Sequence, residues 1–443
     1  MRSGQPDKSS HAQVWRIAGP MILSNLTVPL LGIVDTAVVG HLDEPYHMGA
    51  VSLGAAIFGI VFWGFGFLRM GTTGITAQAY GQNDNCELRA ILARASIIAL
   101  VLSLLLILLQ TPIAWLAFYV VQGSDLVEQH SRIYFDIRIW SAPATLMNYA
   151  LLGWFLGMQN ARAPLYILTF VNLINMLLDM LFVMGLGYGA NGVAWASLIA
   201  EYLGLLLALW IVKRQLMHYP GEVQRALLFD RRKLQKMLSI NRDILIRNLC
   251  LMFTLAFFTA QGARFGDLVL AANAILFNMQ TFMAYALDGF AHAAEALVGK
   301  AIGSRSRSGY FAALKASAIW AVVASILFVA CYGFAGDWII GLMTDIEPVR
   351  QTALEYLIWI VMLPLVSVWS FLLDGVYVGT TRAAEMRNTM LFSTFLVFLP
   401  IWYLLLPLEN HGLWLAFTLF MAARAITMAL LFRTISRRSG IEV

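Results

Sequence analysis

Charge is scarce in this chain. Only 12% of its 443 residues are Asp, Glu, Lys or Arg, where soluble domains carry about 25%. So few charges cannot cover the exterior of a chain that is 60% hydrophobic, with a mean hydropathy of +0.73. A soluble globular enzyme, a disordered protein and a nucleic-acid binder are excluded on that ground. Cysteine is almost missing as well. Cys86, Cys250 and Cys331 are odd in number and far apart, so there is no disulfide framework and no CxxC metal signature. Walker, GxSxG and HExxH motifs are lacking too, which removes support for ATP-driven transport and for hydrolytic catalysis. The first dozen residues are polar, with no short apolar region before a small-residue cleavage site, so no cleaved signal peptide is expected.

What the chain does have is long apolar runs. A spanning helix needs about 20 mostly apolar residues. Twelve such segments are predicted, at about 14–40, 48–80, 91–120, 128–158, 164–186, 191–212, 243–265, 269–300, 309–335, 349–379, 388–406 and 412–434. They are called helices 1 to 12. The expected fold is therefore an all-α integral membrane protein of twelve transmembrane helices. Residues 213–242, with Pro220-Gly221 and Arg231-Arg232-Lys233, break the pattern near the midpoint. They read as a cytoplasmic linker between an N-lobe (1–212, helices 1–6) and a C-lobe (243–443, helices 7–12). Most of the 30 Lys and Arg fall on one side, from Arg2 and Lys8 through the linker to Arg437 and Arg438. By the positive-inside rule, both termini and the linker are cytoplasmic.

The two halves resemble each other. An offset of 222 takes Gly81 to Gly303, Tyr134 to Tyr356, Gly153 to Gly375 and Gly157 to Gly379. Near the half ends an offset of 220 takes Gly192 to Gly412 and Ala196 to Ala416. Six spans is an even number, so the repeats share one topology. An axis along the membrane normal should relate these pseudo-symmetric lobes, with a cavity between them, which is an architecture of secondary transporters.

Ionisable groups inside spans are costly, so each is a functional candidate. Asp35 lies about 5 residues, roughly 8 Å, from the outer end of helix 1. Asp179 on helix 5 lies at a matching depth, with Asn175 and Asn172 one and two turns below on the same face. Ser197 on helix 6 enters from the same side. Two carboxylates, amides and a hydroxyl at one level could hold a proton or a Na⁺. Helix 1 also contains Pro20 and Pro29, which remove backbone bonds and favour a bend. A second set, Asp288, His292 and Glu295, shares one face of helix 8. A proton relay or inner gate is one reading of it, and structural pairing with Arg69, Arg247 or Lys300 is favoured. Asp374 and Glu201 receive the same reading. Asp136 with Arg138, and Arg424, read as satisfied ion pairs without a role. Aromatic and Met side chains on helices 4 and 8, among them Trp154, Phe277, Met279 and Met283, suit either core packing or a flat apolar cation.

Five stretches point to a family: "GPMILSNLTVPLLGIVDTAVVGHL" (19–42), "RMGTTGITAQAYGQND" (69–84), "GWFLGMQNARAP" (153–164), "NLINMLLDMLFVMGLGYGANGVAWASLIAEY" (172–202) and "LDGFAHAAEALVGKAIGSR" (287–305). They resemble the multidrug and toxic compound extrusion (MATE) family, in particular its bacterial DNA-damage-inducible branch. The resemblance implies two six-helix lobes and export of organic, mostly cationic or amphipathic compounds against entry of H⁺ or Na⁺. It places the cation site on Asp35, Asn175, Asp179 and Ser197, where relatives often carry Thr for this Ser, and the helix 1 bend on Pro20. Members of this branch are usually regarded as proton-coupled, so H⁺ is the expected ion and protonation of Asp35 with bending of helix 1 the expected mechanism. Na⁺ at Asp35, Asn175 and Asp179 is the alternative.

An oligosaccharide-lipid flippase of the same superfamily is a rival reading, which more basic cavity residues and additional helices would mark. An ion channel should show a filter-like loop, and a membrane enzyme a nucleophile–base or metal pattern; neither is readable. No cofactor or structural metal is expected. The expected partners are membrane lipid and drug-like small molecules, without nucleic acid, for a monomer in the bacterial inner membrane.

Overall fold

The computed structural model describes residues 8–40, 42, 44–120, 123–222, 224–438 and 440; Arg2 lies outside them. Among the described residues there is no strand, and the chain forms twelve helical rods. Helix 1 is Lys8–Gly40, helix 6 Gly189–Met217, helix 7 Arg231–Ala263, helix 8 Asp267–Gly303, helix 9 Arg307–Met343, helix 10 Glu347–Gly379 and helix 12 Glu409–Arg438. Helices 2 (45–81), 3 (85–120), 4 (125–157), 5 (162–185) and 11 (383–404) each contain a local irregularity. Each predicted apolar run thus became one rod. The rods overshoot the runs because polar ends can stay helical beyond the apolar core.

That overshoot shortens the segment between helices 6 and 7 to 218–230, within the predicted 213–242. Asp230 starts helix 7 early: its Oδ1 accepts from the backbone N–H of Arg232 at 2.8 Å and of Lys233 at 3.2 Å, an N-cap. Arg89 closes helix 6 by donating to the carbonyls of Leu216 at 2.7 Å and Tyr219 at 2.9 Å, which satisfies oxygens left over at a helix end.

Surfaces of the rods are apolar outward. Leu108, Phe334 and Leu430 are among many large exposed hydrophobics, as lipid-facing residues should be. The buried faces carry small residues instead, such as Ala293, Ala294 and Ala296 on helix 8. Without a hydrophobic drive between helices in lipid, close backbone packing takes its place. Glycines make the closest approaches, and the halves use the same device. A Cβ at Gly153 would lie 2.3 Å from the carbonyl oxygen of Arg69, and one at Gly375 would lie 2.2 Å from that of Ala291. Helix 4 therefore touches helix 2, and helix 10 touches helix 8, through positions that the offset of 222 relates.

The chain forms two compact units. One comprises Leu23–Thr72 and Asp84–Gln235: the later part of helix 1, the first part of helix 2, and helices 3 to 6. The other comprises helix 1 up to Ile22, Thr73–Asn83 and everything from Lys236 onward. Inside this second unit the end of helix 2 meets helix 8 glycine to backbone in both directions. A Cβ on Gly81 would sit 2.1 Å from the Lys300 carbonyl oxygen, and one on Gly303 would sit 2.0 Å from that of Gln78. Trp15 of helix 1 packs edge-on against Phe290, with ring centroids 5.5 Å apart, and against Trp320 at 5.2 Å.

Two irregularities position the site. Helix 4 tightens into a 3₁₀ turn at Ile139–Ser141, immediately before Pro143, whose ring and missing N–H disfavour regular winding there. Helix 5 widens into a π turn over Met180–Gly185, directly after Asp179. Such turns inside helices recur at functional sites.

Candidate functional site

The first unit brings the predicted cation-site residues together. Asp179 is the last regularly wound residue of helix 5 and is fully buried. One turn earlier, Asn175 donates from Nδ2 to Ser197 Oγ of helix 6 at 3.1 Å. Asp35 comes from helix 1, within electrostatic reach of Asp179. Two turns below Asp179, Asn172 Nδ2 donates to Thr27 Oγ1 of helix 1 at 2.6 Å. Thr27 Oγ1 in turn donates to the Ser24 carbonyl at 2.7 Å. Spacing by helical turns along helix 5 thus produces one polar stripe against helices 1 and 6.

Four buried oxygens in this stripe have no hydrogen-bond partner among the described residues. They are Asp35 Oδ1, Asn175 Oδ1 and both carboxyl oxygens of Asp179. An unsatisfied buried polar group costs about 1–3 kcal/mol, more when charged. Adjacent ionised carboxylates also repel one another while burial strips their hydration. A proton shared by Asp35 and Asp179 would relieve both costs at once. The oxygen types would equally suit Na⁺.

Arg138 of helix 4 lies within electrostatic reach of both Asp35 and Asp179. Its Nη1 donates to Ser141 Oγ at 2.6 Å, and its Nη2 lies 3.9 Å from Glu201 Oε1. Glu201 Oε2 also accepts from Asn148 Nδ2 at 3.2 Å. The guanidinium faces the rings of Phe62 and Phe58 at 5.5 and 6.0 Å. This corrects the pairing of Arg138 with Asp136. Residues two apart lie on different sides of a helix, so Asp136 is exposed while Arg138 turns inward to Glu201. The missed signal was the helical face itself: Arg138 lies one turn after Tyr134, which is buried.

The second predicted set, on helix 8, belongs to the other unit. His292 Nδ1 lies 3.5 Å from Glu295 Oε2, both buried, and Asp288 is half-buried. Arg247 was an expected partner for this set. It donates to Asp374 Oδ2, the kind of structural pairing also read for Asp374, and Arg424 Nη2 donates to the same oxygen at 2.7 Å. Asp374 and Arg424 are thus members of one buried ion network. Phe277 sits in an aromatic cluster with Phe258, Trp414 and Phe417, at centroid distances of 4.7, 5.4 and 5.8 Å. Trp154 is fully buried and donates to the Leu88 carbonyl at 2.9 Å. Both are packing residues. Pro20 and Pro29 lie within helix 1, which is helical throughout.

Comparison with known proteins agrees with this architecture. The MatE family model matches the chain twice, over residues 20–181 and 244–404, one copy in each half. DNA damage-inducible protein F of Escherichia coli (strain K12) is 44% identical over 432 residues, which cover 96% of this chain and 92% of that protein. A MATE protein solved in a straight conformation superposes with a TM-score of 0.85 over 97% of this chain and 96% of that one, at 19% identity. One solved in a bent conformation superposes at 0.84 over 97% of each chain, at 18% identity. The fold is accordingly that of twelve membrane helices in two lobes. A doubled family match across both halves, and so similar a full-length relative, leave one conclusion: this chain belongs to the MatE family of multidrug and toxin extrusion transporters, and is a multi-pass membrane transporter rather than an enzyme.

Proposed function

We propose that this protein exports organic, mostly cationic or amphipathic compounds in exchange for inward H⁺, by alternating access. The observation that carries the reading is the group of four unpartnered oxygens on Asp35, Asn175 and Asp179. They form an acceptor set without donors, and a proton is the smallest species that supplies one. Asp35 is the coupling carboxylate, with Asp179 as its partner. Asn175 and Ser197 hold the site's polar geometry through their mutual bond. Pro20 provides the bend of helix 1. It lies two residues before helix 1 passes, after Ile22, from one compact unit into the other. The His292–Glu295 contact acts as a structural pair. The six-helix lobes joined by the linker move as alternating bodies around a substrate cavity. The protein resides in the bacterial inner membrane as a monomer with both termini cytoplasmic, in keeping with the basic residues of the linker and C-terminus.

The test is dye efflux from proteoliposomes under separately imposed H⁺ and Na⁺ gradients. Efflux should follow ΔpH, collapse with a protonophore and persist without Na⁺. Efflux that required Na⁺ and ignored ΔpH would reassign the same oxygens to Na⁺.

A further inference from the structure

The first unit has a groove at its linker end, away from the coupling residues. It lies between the start of helix 3 and the end of helix 6 and has a volume of about 410 Å³. Arg89, Leu209, Val212, Lys213, Leu216 and Met217 line it. Leu209, Val212, Lys213 and Leu216 are spaced i, i+3, i+4 and i+7, so helix 6 presents them as one face. Among the described residues the lining holds two cations and no carboxylate. Arg89 is held rigidly: its Nε and Nη2 donate to the Tyr219 carbonyl at 3.2 and 2.9 Å, and Nη2 also donates to that of Leu216 at 2.7 Å. None of these bonds uses Nη1. Lys213 is exposed and has no ion pair among the described residues. Trp210, beside Leu209, is 50% exposed and carries the Arg214 guanidinium over its ring at 3.9 Å. An exposed Trp followed by basic residues marks the level where acyl chains give way to headgroups. The groove crosses that level, with Leu209 before the Trp and Lys213 after it.

We infer that this groove is a binding site for an anionic phospholipid. One acyl chain lies along Leu209 and Val212, and the phosphate meets Lys213 and the Nη1 group of Arg89. Basic pockets between spanning helices select anionic headgroups, and N–H bonds to phosphate are strengthened by charge on both partners. A zwitterionic lipid brings its own cation toward Lys213 and loses that advantage. Arg89 also holds the carbonyls that follow helix 6, and nearby Asn85 Nδ2 donates to the Pro220 carbonyl at 3.1 Å. An occupied groove therefore braces the junction of helix 6 with the linker. The site is independent of the coupled ion and of the exported compound.

The experiment titrates the full chain in detergent with phosphatidylglycerol or phosphatidylcholine of identical acyl chains, and native mass spectrometry counts the bound lipid. The wild type should retain one phosphatidylglycerol more tightly than phosphatidylcholine. Lys213→Gln should weaken phosphatidylglycerol binding about fivefold, the usual effect of one basic residue at a membrane surface, and leave phosphatidylcholine binding unchanged. Leu209→Trp fills the groove and should weaken both lipids. Both changes fall on exposed side chains, which leaves folding intact. Arg231→Gln, an exposed basic residue outside the groove lining, should leave phosphatidylglycerol affinity unchanged. Millimolar inorganic phosphate should not displace the lipid. Equal retention of the two lipids by the wild type would overturn the assignment, as would full phosphatidylglycerol affinity in Lys213→Gln or Leu209→Trp. Loss of affinity in Arg231→Gln equal to that in Lys213→Gln would replace the site with a diffuse basic surface. Displacement by inorganic phosphate would leave a phosphate site without a lipid.

Discussion

At the scale of single residues, the coupling site is a problem of unmet hydrogen bonds. Asp179 is fully buried with both carboxyl oxygens unpartnered, and Asp35 adds a third oxygen of the same kind. Asp35→Asn should separate charge from shape. The amide keeps the size, brings its own donor, and removes the titrating group. The variant should insert and melt at or above the wild-type temperature, because an unsatisfied acceptor becomes a donor worth about 1 kcal/mol. Its ΔpH-driven efflux should fall to the level of protein-free liposomes. Wild-type efflux by a well-expressed Asn variant would remove Asp35 from the coupling step. The sequence placed Asp35 and Asp179 at one depth through helix geometry alone. It could not show that Arg138 turns to Glu201, because its neighbour Asp136 offered a nearer partner on paper and side-chain direction depends on which face of helix 4 is buried.

At the scale of elements, glycine at helix crossings holds the bundle together. The contacts at Gly153 and Gly375 occupy related positions in the two halves, and each allows one helix backbone against the carbonyl of another. A Cβ at 2.2–2.3 Å from a carbonyl oxygen cannot be accommodated by a side-chain rotation, so a helix must move. Gly375→Ala should therefore destabilise by about 1–3 kcal/mol, the usual cost of overpacking, and lower the melting temperature by several degrees. Gly153→Ala should behave alike. Gly59, which has nothing within 4 Å of its would-be Cβ, provides the control: Gly59→Ala should leave melting unchanged. Equal melting of all three variants would show that these crossings do not limit stability. Gly153 and Gly375 were visible in the sequence as a matched pair, whereas the carbonyls that they meet were not, since those lie on other helices.

At the scale of the whole molecule, transport requires two arrangements of one chain. Relatives of this fold have been solved in straight and in bent conformations. Helix 1, like helix 2, has residues in both compact units, and its division comes soon after Pro20. A ligand shifts a two-state element only by its differential affinity for the two states. One pKa unit of difference at Asp35 between straight and bent forms would supply about 1.4 kcal/mol. Pro20→Ala restores a backbone donor and should stiffen helix 1. Export is expected to fall several-fold while proton binding at Asp35 stays intact, measured as proton release on substrate addition to detergent-solubilised protein. Unimpaired export by that variant would leave Pro20 as architecture without a role in the cycle.

Composition and periodicity alone decide that this chain belongs in a membrane, how many helices it forms, and that its halves repeat. Those properties follow from local rules: apolar length against bilayer thickness, and like residues at a constant offset. They also select Asp35, Asn175, Asp179 and Ser197, because buried polar residues are few enough to stand out. Tertiary structure decides what those residues face. It turns Arg138 toward Glu201, directs Arg247 to Asp374, and assigns the start of helix 1 and the end of helix 2 to the unit of helices 7–12. Each of these depends on how helices distant in sequence are rotated and where small residues let them approach, and no local pattern in the chain encodes a rotation.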